Sequence, residues 1–178
     1  MKSLWVVVVV VLAQATAVGV YLWVENARTA EVRFVAETLD VPAPALVVET
    51  TPGSAGATAH SLDLATVQEP VVLVHFWATW CVPCAKELPG LIAASRAAGV
   101  PLWAVTDESW DVVKPFFGGN IPLEVVHDSA GGAAARFGVS GLPDTFVVQN
   151  GRITSRMGGP RAWATKGARS FLGELPSR

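Results

Sequence analysis

The sequence predicts an α/β domain, a central mixed sheet flanked by helices. Three observations predict it. Strand-like apolar runs alternate with helix-like segments between residues 71 and 138, the order that builds a sheet with crossover connections. The run Val71-Val72-Leu73-Val74-His75-Phe76-Trp77 is apolar on both of its alternating faces apart from His75, as a strand covered on both sides must be. Asn150-Gly151 separates two further strand-like runs, and this dipeptide is the strongest short hairpin signal.

Taken in order, residues 4–24 form an apolar run whose polar members are Gln14, Thr16 and Tyr21. About 20 apolar residues cross a bilayer. Trp5, Tyr21 and Trp23 lie near the ends, where interfacial aromatics sit. Residues 1–24 are therefore expected to be an N-terminal transmembrane helix. Lys2 ahead of the run favours the N-terminus inside and the remainder exported. A signal peptide cut near Ala13-Gln14-Ala15 is the alternative, and both readings place the domain outside the cytoplasm. Residues 25–41 read as a juxtamembrane spacer and residues 42–178 as one domain. Thirteen Lys and Arg against 15 Asp and Glu leave a net charge of −2, so no nucleic-acid partner is expected.

Within the domain, residues 45–51 and 57–64 are strand-like around a Pro-Gly-Ser loop. Residues 71–77 are the central strand. Residues 82–98 read as a helix, kinked at Pro89 and ended by Gly99. Residues 101–105 are a strand. Asp107 is expected to cap the next helix, with Trp110, Val113 and Phe117 inward. Residues 123–127 are a strand, and Ser129 is expected to cap a short helix ending at Phe137-Gly138. Residues 145–149 and 152–157 form the hairpin. Residues 163–172 close the chain as an amphipathic helix, with Ala164, Ala168, Phe171 and Leu172 inward.

Cys81 and Cys84 are the only cysteines. They stand where the central strand hands over to a helix. A helix N-terminus offers unpaired N–H groups and a partial positive charge, which favour an anion. A cysteine there has its pKa lowered, and the thiolate is the nucleophile. With Cys81 at the N-cap, Pro83 falls in the first turn, where its missing N–H costs nothing. Cys84 lies one turn inside, more covered. Cys81 is thus the expected attacking thiol and Cys84 the resolving thiol. A structural zinc site needs about four ligands, and no second cysteine pair exists. A structural disulfide across two residues would close too small a loop to stabilise much.

The stretch Phe76-Trp77-Ala78-Thr79-Trp80-Cys81, the Pro83-Cys84 pair, and Glu87 with Pro89 resemble the thioredoxin superfamily. More narrowly they resemble membrane-anchored TlpA/ResA-like thiol-disulfide oxidoreductases. The resemblance implies a thioredoxin-like fold with an N-terminal hairpin. It implies that Pro143 is cis and faces the cysteines, and that Leu142 offers its backbone to an extended substrate by strand addition. It further implies a functional Glu87, on the Cys84 face of the helix, able to exchange a proton with Cys84. Trp80 is expected as an apolar lid over the sulfurs, and Val82 and Pro83 as substrate-contacting residues. Asp144 departs from the small or hydroxyl residue expected after the proline. His75 departs from the acid or asparagine expected in the strand; it is either a proton relay or a satisfied core histidine. His127 and His60 read as surface residues.

The function expected from this is a membrane-anchored, extracytoplasmic thiol-disulfide oxidoreductase that reduces client disulfides. Val82 and Pro83 carry no side-chain donor to stabilise the Cys81 thiolate, which favours a reductase. The resemblance implies apocytochrome c or oxidase copper-site proteins as clients. Electrons would come from a separate membrane redox donor, since no further cysteine exists. No cofactor and no metal are expected. The rival readings are a disulfide-introducing oxidant, a non-enzymatic copper chaperone, and an inert membrane-tethered binding module.

Overall fold

The computed structural model describes residues 11–21, 34, 36–51, 61–66 and 69–175. The chain divides into two units, Met1–Arg33 and Phe34–Arg178. In the first, residues 11–21 are helical. Among the described residues, no helix is long and apolar enough to cross a membrane. The expected anchor over residues 1–24 has residues 1–10 and 22–24 outside the described residues, and His60 lies outside them too.

The second unit carries an eight-stranded mixed sheet. Its strands are β1 (Glu37–Pro42), β2 (Val47–Thr50), β3 (Ser61–Asp63), β4 (Val71–Phe76), β5 (Leu102–Thr106), β6 (Val125–His127), β7 (Asp144–Gln149) and β8 (Arg152–Gly158). The helices are α1 (Val82–Ala98), α2 (Trp110–Phe116), α3 (Ala133–Arg136) and α4 (Lys166–Glu174). Strand order is β1-β8-β7-β4-β5-β6-β2-β3. β4, β5 and β6 are mutually parallel, and the remaining pairs are antiparallel. β2 and β3 form the expected N-terminal hairpin.

β4 sits in the middle because it is apolar on both faces, and all six of its residues are buried. Val71, Leu73 and Trp77 pack beneath Leu88, Leu91 and Ile92 of α1, Val113 of α2, and Ala168 and Leu172 of α4. Val72, Val74 and Phe76 pack on the other face with Phe146 of β7, Ala133 of α3 and Phe137. Fully burying such side chains is worth about 1.5–3 kcal/mol each, so the strand and its two covers hold one another in place. Gly99 ends α1 in the left-handed conformation, φ 68°. Asn150 and Gly151 both have positive φ, 50° and 75°. That pair makes the tight turn whose twist matches the β7–β8 hairpin.

Four expectations are corrected. β1 lies within the stretch expected as spacer (residues 25–41), and the folded unit starts before residue 42. Phe34 packs on Trp163 and Phe171 with ring centroids 4.6 and 5.1 Å apart. β1 is an edge strand that is mostly exposed, and its alternation is limited to Leu39-Asp40-Val41, too short to mark a strand. Asp107 does not cap α2: Ser109 holds the N-cap position, because β5 runs on to Thr106 and Glu108 turns back to the loop before Cys81. Ser129 does not cap α3; its hydroxyl donates to Glu49 at 2.8 Å. Asp128 instead accepts the Ala133 N–H at 2.8 Å. His127 is half-buried rather than on the surface, edge-on to Trp110 at 5.6 Å.

Candidate functional site

Cys81 and Cys84 are joined as a disulfide with Cα atoms 5.2 Å apart. Cys81 is the N-cap of α1, with extended backbone, and its sulfur accepts the Cys84 N–H at 3.3 Å. One free N–H of the first turn, that of Cys84, thus points at the Cys81 sulfur. Cys81 is 5% exposed and Cys84 0%, so an incoming sulfur meets Cys81 first.

The loop ahead of Cys81 is tied down by a residue the sequence did not single out. Glu108 accepts the Thr79 N–H at 2.5 Å and the Thr79 hydroxyl at 2.7 Å. Its own N–H donates to the Thr106 hydroxyl at 3.2 Å. Trp80, the next residue, is 72% exposed. It does not close over the site but stands at the edge of a groove of about 380 Å³, shared with Trp77, Thr106 and Leu142. Val82 and Pro83 are exposed and line a different cavity of about 520 Å³, with Lys86, Glu87, Arg161 and Trp163. Trp80 and Leu142 therefore line one concavity, and Val82 and Pro83 the other.

The Leu142–Pro143 peptide bond is cis. β7 runs antiparallel to β4 with Asp144 opposite Phe76. Pro143 therefore enters the sheet at the end of β4 that leads into Trp77 and the dithiol. Leu142 packs on the same apolar cluster as Cys81 and Cys84. Asp144 is buried and held by Arg156, Nη2 to Oδ2 2.6 Å. Arg156 also donates to the Gly138 carbonyl at 3.1 Å. The acid at this position is thus neutralised inside the domain rather than presented to a groove.

Glu87, three residues beyond Cys84, is 8% exposed. One carboxylate oxygen accepts the Arg161 N–H at 2.5 Å, and the other accepts from Trp163 Nε1 at 3.4 Å. Burial pushes its carboxyl above the usual range, while the Arg161 N–H, the Trp163 N–H and the Arg161 charge oppose the rise. A carboxyl raised in this way can hold a proton nearer neutral pH. His75 on β4 is fully buried, its Nδ1 2.9 Å from the Thr145 hydroxyl and its Nε2 3.9 Å from Glu87 Oε1. Burial holds its pKa down at about 3. It is neutral through the physiological range, so it carries no charged relay near neutral pH. Among the described residues, no three His, Cys, Asp or Glu side chains converge as a metal site.

A dithiol capping the helix after the central strand, beside a strand that opens on a cis proline, is the arrangement of thioredoxin-like α/β proteins. The chain belongs to the AhpC/TSA family, whose model matches residues 40–156. It is similar to the thiol:disulfide interchange protein HelX of Rhodobacter capsulatus, 34% identical over 109 residues, 59% of this chain and 61% of that one. A DsbE homolog of Paracoccus denitrificans is 34% identical over 122 residues, 66% of this chain and 65% of that one. The chain thus spans less than two thirds of either relative. The solved thio-disulfide isomerase of Thermus thermophilus superposes with a TM-score of 0.58 at 27% identity, covering 79% of this chain and 97% of that one.

Proposed function

We propose that the chain is a thiol-disulfide oxidoreductase that reduces disulfides in exported client proteins. The observation that carries it is the geometry of the pair: Cys81 at the helix cap, reachable, and Cys84 bonded to it and covered. The Cys81 thiolate attacks one sulfur of a client disulfide, and the other client sulfur leaves as thiolate. Cys84 then loses its proton to Glu87 and attacks Cys81. The Cys81–client bond breaks, the client leaves fully reduced, and two electrons have passed from the dithiol. Pro143 and Leu142 border the site where an extended client segment would lie, with Trp80 along one groove and Val82 and Pro83 along the other.

The resemblance to TlpA/ResA-like proteins supports apocytochrome c or a copper-site protein as client, a separate membrane donor that restores the dithiol, and an anchor over residues 1–24. It also supports an extracytoplasmic domain with the N-terminus inside. The names of the relatives support thiol-disulfide exchange.

Two variants test the reading. Cys84→Ser accumulates Cys81-linked mixed disulfides with its clients, and Cys81→Ser accumulates none. In the reduced wild-type chain, brief alkylation labels Cys81 ahead of Cys84 by mass mapping. Clients trapped equally on both variants, or faster labelling of Cys84, would reject the assignment.

A further inference from the structure

Thr145, His75 and Glu87 form a line from the strand that follows Pro143, through the central strand, to the helix that carries the dithiol. Thr145 and His75 are opposite each other in the β7–β4 ladder. All three are buried. His75 Nδ1 has a partner in the Thr145 hydroxyl at 2.9 Å, but its Nε2 has none. The nearest acidic atom is Glu87 Oε1, 3.9 Å away.

That gap fits one tautomer better than the other. A neutral imidazole carries one N–H, and the other nitrogen is an acceptor. Were the proton on Nε2, a buried N–H would face a carboxylate oxygen, and such pairs close to about 2.7–2.9 Å. An orphaned nitrogen held off at 3.9 Å is what a lone pair facing a carboxylate gives. The proton then lies on Nδ1, donated to Thr145, and Nε2 presents a lone pair to Glu87.

We propose that His75 is a positioning residue whose Nε2 lone pair accepts the hydroxyl of protonated Glu87, so that Glu87 holds the proton it takes from Cys84. The inference rests on the dithiol reading above and assigns the group that receives the Glu87 O–H. When Cys84 attacks Cys81, its S–H proton passes to the Glu87 carboxylate. The new O–H turns onto Nε2, satisfying the one ring atom that the oxidised state leaves unpaired. Thr145 fixes the ring for this, its hydroxyl oxygen accepting the Nδ1–H hydrogen bond. The groups around Glu87 are His75 from β4, Arg161 and Trp163 from the segment after β8, and Lys86 in the same cavity; Cys84 precedes it by three residues, on the same face of the helix. Of these side chains, His75 offers Glu87 an acceptor, whereas the Arg161 and Trp163 N–H groups are donors that favour the ionised form.

The test uses the full-length reduced chain in two measurements. In the first, a chromogenic aryl disulfide is attacked by Cys81, and release of the second aryl thiolate reports attack by Cys84 as a function of pH. Wild type shows an acid limb set by Glu87, and Glu87→Gln removes it. His75→Leu shifts that limb about one pH unit lower, the size expected for loss of one hydrogen bond to the protonated acid. Thr145→Val, which frees Nδ1 and lets the ring proton move to face Glu87, shifts it the same way. In the second, nitrogen-15 spectra of histidine-labelled wild type show His75 as the Nδ1–H tautomer, with the Nε2 resonance moving as Glu87 is protonated. The NMR measurement needs no variant and survives a folding defect in His75→Leu. An Nε2–H tautomer, or an unshifted limb in folded His75→Leu and Thr145→Val, overturns the role of His75 while leaving the Glu87 reading intact. A Glu87→Gln profile identical to wild type overturns the Glu87 reading and this inference with it.

Discussion

Two buried groups with opposite pH behaviour face each other beneath the dithiol. Burial holds the folded His75 pKa at about 3, against 6.5 for the free side chain. Above about pH 6.5 both folded and unfolded chains carry it neutral, and it costs nothing. As pH falls below that value the unfolded chain takes up a proton that the folded chain refuses. The folded state therefore loses stability down to about pH 3, on the order of 1 kcal/mol per pH unit. Glu87 acts in the other direction. Its folded pKa is raised by burial, so its cost is present where it is ionised and is relieved as pH falls. His75→Leu removes only the first slope. Between about pH 7 and pH 4, the melting temperature of wild type should fall further than that of His75→Leu, because only wild type has a buried imidazole to charge. Equal falls in a thermal-melt series would show that His75 is readily protonated in place.

At the scale of elements, the dithiol is aimed by two connections. One is the cap of α1, which brings the Cys84 N–H to the Cys81 sulfur. The other is the loop between β4 and α1, fastened by Glu108 from the end of β5. Both Glu108 oxygens are used, one on the Thr79 N–H and one on its hydroxyl. Hydrogen bonds to a charged group contribute about 1.5–3 kcal/mol each, less here because the site is only part-buried. Glu108→Ala should therefore lower stability by about 1–3 kcal/mol. It should also loosen the Thr79–Cys81 loop. Proteolysis or amide exchange at Thr79 and Trp80 would rise several-fold, with the α1 core unchanged. Unchanged exchange at Thr79 would show that the loop is held by packing alone.

Over the whole molecule, the direction of electron flow depends on how far the fold stabilises the reduced Cys81 thiolate. Between the cysteines, Val82 and Pro83 supply no side-chain donor, and Pro83 supplies no N–H. The Cys84 N–H is the hydrogen bond to the Cys81 sulfur in this structure. Strong oxidants of this fold owe potentials near about −120 mV to a stabilised reduced form, against about −270 mV for thioredoxin. The full-length chain should equilibrate with glutathione buffers on the reducing side of about −200 mV. A potential above about −150 mV would make it a disulfide-introducing oxidant instead.

The sequence by itself determined the parts of this protein that local chemistry dictates. The doubly apolar β4, the Cys-x-x-Cys at a helix start, the Asn-Gly hairpin and the glycine stop of α1 are all written in adjacent residues. What it could not determine are pairings between distant residues. β1 carries an alternation of only three residues, Leu39-Asp40-Val41, and its place is decided by backbone pairing to β8 at the far end of the chain. Thr79 meets Glu108, and His75 meets both Thr145 and Glu87, only because the sheet order sets β4 between β5 and β7. His75 was legible as an oddity, but its state was not. Whether a buried imidazole is charged depends on what surrounds it in space, and burial with one hydroxyl partner keeps it neutral. The same holds for Asp144, whose charge is answered by Arg156 across the β7–β8 hairpin. Propensity and motif act along the chain over a few residues; desolvation and charge pairing act across space, and tertiary structure alone brings those partners together.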